Sequence, residues 1–196
     1  MLKVGLTGNI GSGKSLVSEM FLIYGVPVYK ADQESKKFLG EPFVKEQILR
    51  LFGEEVLSAS GDIDREVLAR RVFSDGEALA ALNGILHPLV LDDFTSWCEA
   101  YAEKPYIIQE AAIIFESGIA DLFDKIIHVS CPKEIAIERV MQRDGMDRDH
   151  VLQRMSFQME DEQKTAQADF VIQNDGNEMI IPQVISIHEK LLEICT

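Results

Sequence analysis

Short and almost continuously apolar runs alternate along this chain with longer stretches of helical periodicity. Such runs are typical of strands buried on both faces of a parallel sheet. The predicted strands are residues 2–7, 26–29, 106–112, 125–129 and 170–172. Because helical patterns separate these runs, the chain is predicted to form right-handed βαβ units in an α/β fold.

Apolar residues recur at helical spacing in three places. These stripes contain Val17, Met20, Phe21 and Tyr24, then Leu86, Leu89, Val90, Phe94, Trp97 and Tyr101, and finally Ile181, Val184, Ile185, Leu191 and Leu192, with Pro182 in the first turn of the last helix. The region 33–103 has helical patterns and no strand signal. An insertion of this length indicates a task of its own, such as gripping a substrate.

The composition limits the partners that the protein can have. A chain of 196 residues with a formal net charge of −14 repels nucleic-acid backbones and anionic membranes, although it can still hold a nucleotide locally. No apolar run approaches the roughly 20 residues that span a bilayer, and the first residues lack a signal peptide's apolar segment. We therefore expect a cytoplasmic protein. Its three cysteines, Cys98, Cys131 and Cys195, have no zinc-site or disulfide spacing.

The segment GNIGSGKS at residues 8–15 matches G-x-x-x-x-G-K-[ST], the pattern of a phosphate-binding loop. Glycines let the backbone curl tightly around phosphate, and the loop leads into a helix N-terminus that favours anions. Lys14 is predicted to reach the terminal phosphates and Ser15 to bind Mg²⁺. The predicted nucleotide-binding residues in this segment are Gly8, Gly11, Ser12, Gly13, Lys14, Ser15 and, through its backbone N–H, Leu16.

The class of phosphate-loop protein is not fixed by the loop itself. The chain has no Asn-Lys-x-Asp guanine-binding motif. The nearest sequence, Asn-Asp-Gly at residues 174–176, is typical of a turn. This absence favours a small-molecule kinase over a GTPase. The alternatives are a kinase for a nucleoside monophosphate or another small metabolite, and a regulator that binds nucleotide and hydrolyses it slowly.

Several further motifs make the chain resemble the dephospho-coenzyme A kinase family over almost its whole length. They are, in order, TGNIGSGKS at 7–15, Ala31-Asp32, Asp64-Arg65 with Leu68 and Val72-Phe73, His87-Pro88, IIFE at 113–116, Arg139 and Arg143, Gln158, Ala168-Asp169 and Asn174. The resemblance implies transfer of the ATP γ-phosphoryl group to the ribose 3′-hydroxyl of dephospho-coenzyme A, the last step of coenzyme A synthesis. It also implies Mg²⁺ and a three-layer fold with strand order 2-3-1-4-5.

We expect three regions from this resemblance and from the patterns. The nucleotide-binding core comprises residues 1–31, 105–140 and 159–196. The helical region 32–104 receives the acceptor substrate, and residues 141–158 form a lid.

The predicted catalytic residues are Asp32, Lys14 and Arg139, and Arg143 is a predicted nucleotide contact. A carboxylate beside a sugar hydroxyl can accept its proton. The position of Asp32 after the second strand fits either this role or a helix N-cap, and the resemblance favours catalysis. Arg139 and Arg143 share a helix face and can hold phosphate oxygens, or can instead pair with Glu138 or Asp144.

The remaining predicted contacts follow from the resemblance. Arg65 either pairs with a substrate phosphate or supports the fold, and His87 either starts a helix or touches the substrate. Glu116 either shapes the acceptor pocket or initiates a helix, while Thr7 and Asn174 are weaker ligand candidates at strand ends. The sequence departs from the family at Lys30, where an acid is common, and we hypothesise that Glu110 supplies the carboxylate near Mg²⁺ instead.

Overall fold

Five parallel strands form one sheet in the computed structural model, which describes residues 1–195. The strands are β1 (Leu2–Thr7), β2 (Val28–Lys30), β3 (Tyr106–Glu110), β4 (Lys125–Ser130) and β5 (Phe170–Gln173). Their order is β2-β3-β1-β4-β5, which confirms the predicted α/β fold and strand order. β2 starts two residues later than predicted, after Pro27, which has no N–H to donate to a neighbouring strand.

The helices occupy the connections between strands and the end of the described chain. They are α1 (Lys14–Ile23), α2 (Ala31–Phe38), α3 (Pro42–Phe52), α4 (Arg65–Val72), α5 (Gly76–Glu99), α6 (Lys133–Asp144), α7 (Arg148–Met155), α8 (Asp161–Gln167) and α9 (Ile180–Ile194). Among the described residues, no helix is both long enough and apolar enough to cross a membrane.

The chain divides into two compact units. The first unit comprises Met1–Lys30 and the chain from Cys98 onward, and the second comprises Ala31–Trp97. In the first unit, Leu6 of β1, Ile108 of β3 and Ile127 of β4 belong to one fully buried apolar cluster. Burial of each such side chain stabilises the fold by roughly 1.5–3 kcal/mol.

The second unit is helical and has a core of its own. Ile48 of α3, Leu68 of α4 and Leu82 of α5 are buried in one cluster. Asp64 is the N-cap of α4 and accepts hydrogen bonds from the backbone N–H groups of Glu66 at 3.0 Å and Val67 at 3.1 Å. The acid of the Asp64-Arg65 motif therefore has a defined structural task, since an N-cap is typically worth about 1 kcal/mol.

The alternative that His87 starts a helix is wrong. His87 lies inside α5, and Pro88 follows it within the same helix. The apolar stripe of Leu82, Leu86 and Val90 is buried on both sides of the proline. Burial of this face holds the helix together across the hydrogen bond that Pro88 cannot make.

Candidate active site

The glycine-rich loop connects the end of β1 to the start of α1. Gly11 and Gly13 have positive φ angles of 82° and 91°, which side chains rarely adopt. A Cβ atom on Gly11 would collide with the backbone carbonyl oxygen of Ala136 in α6, and one on Gly13 would collide with the side-chain amide of Asn174. The two glycines are therefore required both for the curl of the loop and for its close contacts.

The start of α1 offers backbone donors to an anion. Gly13 occupies its N-cap position without a side-chain cap, and the first turn contains no acidic residue. The exposed N-terminus of a ten-residue helix favours phosphate through its dipole and its N–H groups. The N–H of Leu16, a predicted nucleotide contact, already donates to the Gly13 carbonyl at 3.0 Å.

Lys14 and Ser15 meet a carboxylate at the end of β3. Lys14 is only 9% exposed and forms an ion pair with Glu110, which is 5% exposed. The Ser15 hydroxyl donates to the same Oε1 atom of Glu110 at 3.3 Å. An ammonium, a hydroxyl and a carboxylate thus lie together at the carboxyl edge of the sheet, where α/β proteins hold their ligands.

The donor set around Ser15 fits Mg²⁺. A hydroxyl and a carboxylate are oxygen ligands, and Mg²⁺ in kinases is usually bound by one or two protein groups together with substrate phosphates and water. Within residues 1–195, no group of three or more His, Cys, Asp or Glu residues could hold a metal ion. Any Mg²⁺ held by Ser15 and Glu110 would therefore depend on phosphate oxygens for much of its coordination.

Asn174, at the end of β5, fastens the loop to α6. Its side-chain amide donates to the Ser12 carbonyl at 2.6 Å. Arg139 in turn donates to the backbone carbonyl of Asn174 at 3.2 Å and to its Oδ1 atom at 3.3 Å, and also to the Cys131 sulfur at 3.4 Å. Asn174 and Arg139 are thus brought to the phosphate loop, as the strand-end position of Asn174 indicated.

Arg143 points its guanidinium group at a neighbour on its own helix. It donates to both carboxylate oxygens of Asp144 at 2.7 Å and 2.8 Å and is exposed. This hydrogen-bonded pair raises the pKa of Arg143 and lowers that of Asp144. Of the two predicted phosphate-binding arginines, the structure therefore connects Arg139 to the loop, while Arg143 makes the pairing with Asp144 that was the alternative.

Thr7 and Glu116 belong to a second group of contacts. The Thr7 hydroxyl donates to the Ala112 carbonyl at 3.2 Å, and Glu116 accepts from the backbone N–H of Met159 at 2.8 Å. Glu116 lies in a turn segment, so the alternative that it initiates a helix is wrong. The backbone of the loop is bound to the same region, because Ile10 donates to Gln158 Oε1 at 2.9 Å.

The other predicted residues lie in the second unit. Asp32 is an exposed residue of α2, which begins at Ala31, so the N-cap alternative is wrong. Asp32 is the second residue after Lys30, whose β2 position pairs with Glu110. Arg65 donates to the Lys36 carbonyl at 3.2 Å and is otherwise exposed. Burial lowers the pKa of His87 below its ordinary value.

Two buried groups near the loop, Lys164 and His128, have contacts that the sequence did not predict. Lys164 is fully buried and forms an ion pair with Glu116. His128 is also fully buried, and its Nε2 atom lies 3.0 Å from Asp161, which also accepts from Ser130 at 2.5 Å. Burial raises the pKa of Asp161, but the hydrogen bonds from His128 and Ser130 lower it overall. No spacing in the sequence joins these residues, because their contacts form only in the fold.

The loop, Lys14 and the parallel sheet of order β2-β3-β1-β4-β5 place the chain in the class of P-loop kinases. A shikimate kinase from Acinetobacter baumannii shares the fold, with a TM-score of 0.56 at 14% identity over 99% of this chain and 94% of that one. The family model described as dephospho-CoA kinase matches residues 2–179, and the chain belongs to that family.

Individual relatives agree with the family. A dephospho-CoA kinase from Bacteroides fragilis (strain YCH46) is 39% identical, with all of this chain and 97% of the relative aligned. One from Porphyromonas gingivalis is 40% identical over 97% of this chain and 95% of its own length. A dephospho-CoA kinase structure from Campylobacter jejuni superposes with a TM-score of 0.70 at 26% identity, covering 99% of this chain and 98% of that one.

Proposed function

We propose that this chain transfers the γ-phosphoryl group of ATP to the 3′-hydroxyl of the dephospho-coenzyme A ribose, which yields coenzyme A and ADP. Membership of the dephospho-CoA kinase family supports the acceptor. The observation that supports ATP binding is the buried Lys14 at the start of α1. It follows Gly11 and Gly13, which both have positive φ angles. The bond from the γ-phosphorus to ADP breaks as the ribose oxygen attacks, and the hydroxyl proton passes to a base.

The phosphate loop neutralises and positions the triphosphate in this proposal. The backbone N–H groups of Gly11, Gly13 and Lys14 are the proposed donors to the phosphates, and the ammonium of Lys14 is proposed to contact the terminal ones. Ser15 and Glu110 would hold Mg²⁺. The ion supplies positive charge that offsets the charge developing on the transferred phosphoryl group.

Asp32 is the proposed general base. It follows β2 by two residues in the chain, and Lys30, the last residue of β2, pairs in register with Glu110 of β3. A carboxylate hydrogen-bonded to the ribose hydroxyl takes up its proton as the oxygen attacks, which typically contributes 10²–10⁴-fold to the rate.

Arg139 is the proposed phosphate clamp. Its contacts with Asn174 place a permanent positive charge beside the loop. Arg143 contacts the nucleotide in this proposal only if its guanidinium group leaves Asp144 and binds a phosphate instead. The region 141–158 is proposed to act as the lid that excludes water.

The region 32–104 is the proposed acceptor region. Arg65 is exposed and permanently charged, so it suits a phosphate of dephospho-coenzyme A. The lowered pKa of His87 keeps its ring neutral near pH 7, which suits a hydrogen bond to the substrate rather than a charge pair. Thr7, the last residue of β1, and Glu116, in the turn segment that follows β3, are the other proposed acceptor contacts.

The direct test supplies purified protein with ATP, Mg²⁺ and dephospho-coenzyme A and follows the product by mass. The expected result is a product one phosphoryl group heavier than the acceptor, with one ADP formed for each. A panel of nucleoside monophosphates and small alcohols tests the alternative kinases. ADP formation that no acceptor stimulates would contradict the proposal and indicate a slowly hydrolysing regulator.

Glu110→Gln tests the proposed metal role. We expect turnover to fall and the Mg²⁺ concentration for half-maximal rate to rise by about 10–100-fold, as for other groups that support a metal. The measurement is initial rate against Mg²⁺ concentration. Glu19→Gln is the matched control, because Glu19 also pairs with a lysine, Lys30, but is exposed. Unchanged Mg²⁺ dependence in Glu110→Gln would remove Glu110 from the metal site.

A further inference from the structure

Lys164 of α8 is a fully buried cation that the proposed reaction does not use. Its ammonium group donates to the Ala112 carbonyl at 2.8 Å and pairs with Glu116 Oε1 at 2.8 Å. Burial lowers the pKa of Lys164, and the contact with Glu116 acts in the opposite direction. A buried ammonium is costly without such partners, so Lys164 and the groups that it contacts depend on one another for their positions.

Glu116 depends on Lys164 in return. Its Oε1 atom accepts from both Lys164 and the backbone N–H of Met159. Its Oε2 atom is buried and has no hydrogen-bond partner among the described residues. The ammonium of Lys164 is therefore the side-chain partner that holds this under-satisfied carboxylate in place.

Met159 carries the contact onward to the phosphate loop. Its carbonyl accepts from the side-chain amide of Asn9 at 3.0 Å, while the neighbouring Gln158 accepts from the Ile10 N–H. Three consecutive hydrogen bonds thus lead from Lys164 through Glu116 and Met159 to Asn9. Lys164 and Thr7 also share one hydrogen-bond acceptor. Both side chains donate to the Ala112 carbonyl, and Thr7 is the residue directly before the phosphate loop.

We propose that Lys164 is a positioning residue for phosphoryl transfer: its ion pair holds Glu116 in place and thereby fixes the 158–159 segment against Asn9 and Ile10 of the phosphate loop. Lys164 is itself inaccessible, so it acts through Glu116 rather than on the substrate. Phosphoryl transfer depends on placement of the phosphates, and a displacement of about 1 Å can cost roughly 10²-fold in rate.

The first test is Lys164→Met, which removes the charge and keeps the length. We expect kcat to fall by roughly 10²-fold at pH 7, with the KM for ATP within about threefold. Glu116 then lacks its ammonium partner, so it no longer holds the 158–159 segment against the phosphate loop. Two other charged groups act on Lys164: Lys14, which is paired with Glu110, and Asp161 of the same helix. Lys14, Glu110 and Asp161 all remain unchanged in the variant.

A double-mutant cycle separates action through Glu116 from any other role. In the Glu116→Gln background Lys164 has no carboxylate to hold, so adding Lys164→Met should change kcat by less than about threefold. If Lys164→Met alone does not fold, the comparison of Glu116→Gln with the double variant still tests the proposal. The double variant buries no unpaired charge at these two positions. A further loss of more than tenfold on adding Lys164→Met would overturn the proposal.

The control is Lys125→Met, which breaks an ion pair of similar length, 2.7 Å, between Lys125 and Asp169 at a more exposed position. We expect its kcat to match that of the unaltered protein. A Lys164→Met protein that folds and keeps kcat within threefold would show that Lys164 only stabilises the fold.

Discussion

Lys14→Met should lower kcat for coenzyme A formation by about 10³-fold or more. Removing one preorganised donor from a developing negative charge costs roughly 10²–10³-fold, and a cationic group at a transferred phosphoryl can be worth more. Lys14 sits at the start of α1 with 9% of its surface exposed, so the fold defines the position of its ammonium group. Steady-state kinetics at saturating ATP and acceptor, monitored by mass, give the loss directly.

The loss must be separated from instability, because Lys14→Met leaves Glu110 buried without its cation. The double variant Lys14→Met with Glu110→Gln removes both charges and should recover thermal stability without recovering kcat. Lys37→Met is the control for loss of a lysine from a surface ion pair, with Glu34, and should keep kcat within twofold. A kcat for Lys14→Met within tenfold of the unaltered protein would reject the assigned role.

Asp32→Asn should lower kcat by about 10²–10⁴-fold, the usual contribution of a general base, while the KM for ATP stays within threefold. The amide keeps the shape of the side chain and removes its capacity to accept a proton. Asp32 is exposed and does not cap α2, so the substitution should leave thermal stability nearly unchanged. The measurement is kcat and both KM values, together with the melting temperature.

Glu34→Gln on the same helix is the matched control for Asp32→Asn. Glu34 forms a surface pair with Lys37, and its loss should alter kcat by less than twofold. Near-normal turnover by Asp32→Asn would refute the proton-acceptor role, and a loss confined to the KM for dephospho-coenzyme A would reassign Asp32 to acceptor binding.

The parts of this protein that sequence reasoning predicted are those with local signatures. The five apolar runs fixed the strand set, and the spacing of glycines before Lys14 predicted the loop because curl and helix start are set by neighbouring residues. The helix-start interpretation of His87 was wrong because burial of the α5 stripe outweighs the local effect of Pro88.

The contacts that could not be predicted join residues far apart in the chain. The Asn174 amide reaches Ser12 across 162 positions, and Lys164 reaches the Ala112 carbonyl across 52. A lysine in a polar helical segment is typical of an exposed position, so nothing local marked Lys164 as buried. Likewise, the choice of Arg143 between phosphate and Asp144 depends on side-chain geometry that spacing does not define.

The anchoring of the phosphate loop on both sides has a thermodynamic consequence. On one side, the Asn174 side-chain amide donates to the Ser12 carbonyl. On the other side, Gln158 accepts from the Ile10 N–H, and the Met159 carbonyl accepts from the Asn9 side chain. A loop tethered in this way has few conformations left to lose when ATP arrives, so association carries a small entropic penalty. Slow amide hydrogen exchange at Ile10 and Ser12, whose N–H groups already donate within the protein, before nucleotide is added would be its signature.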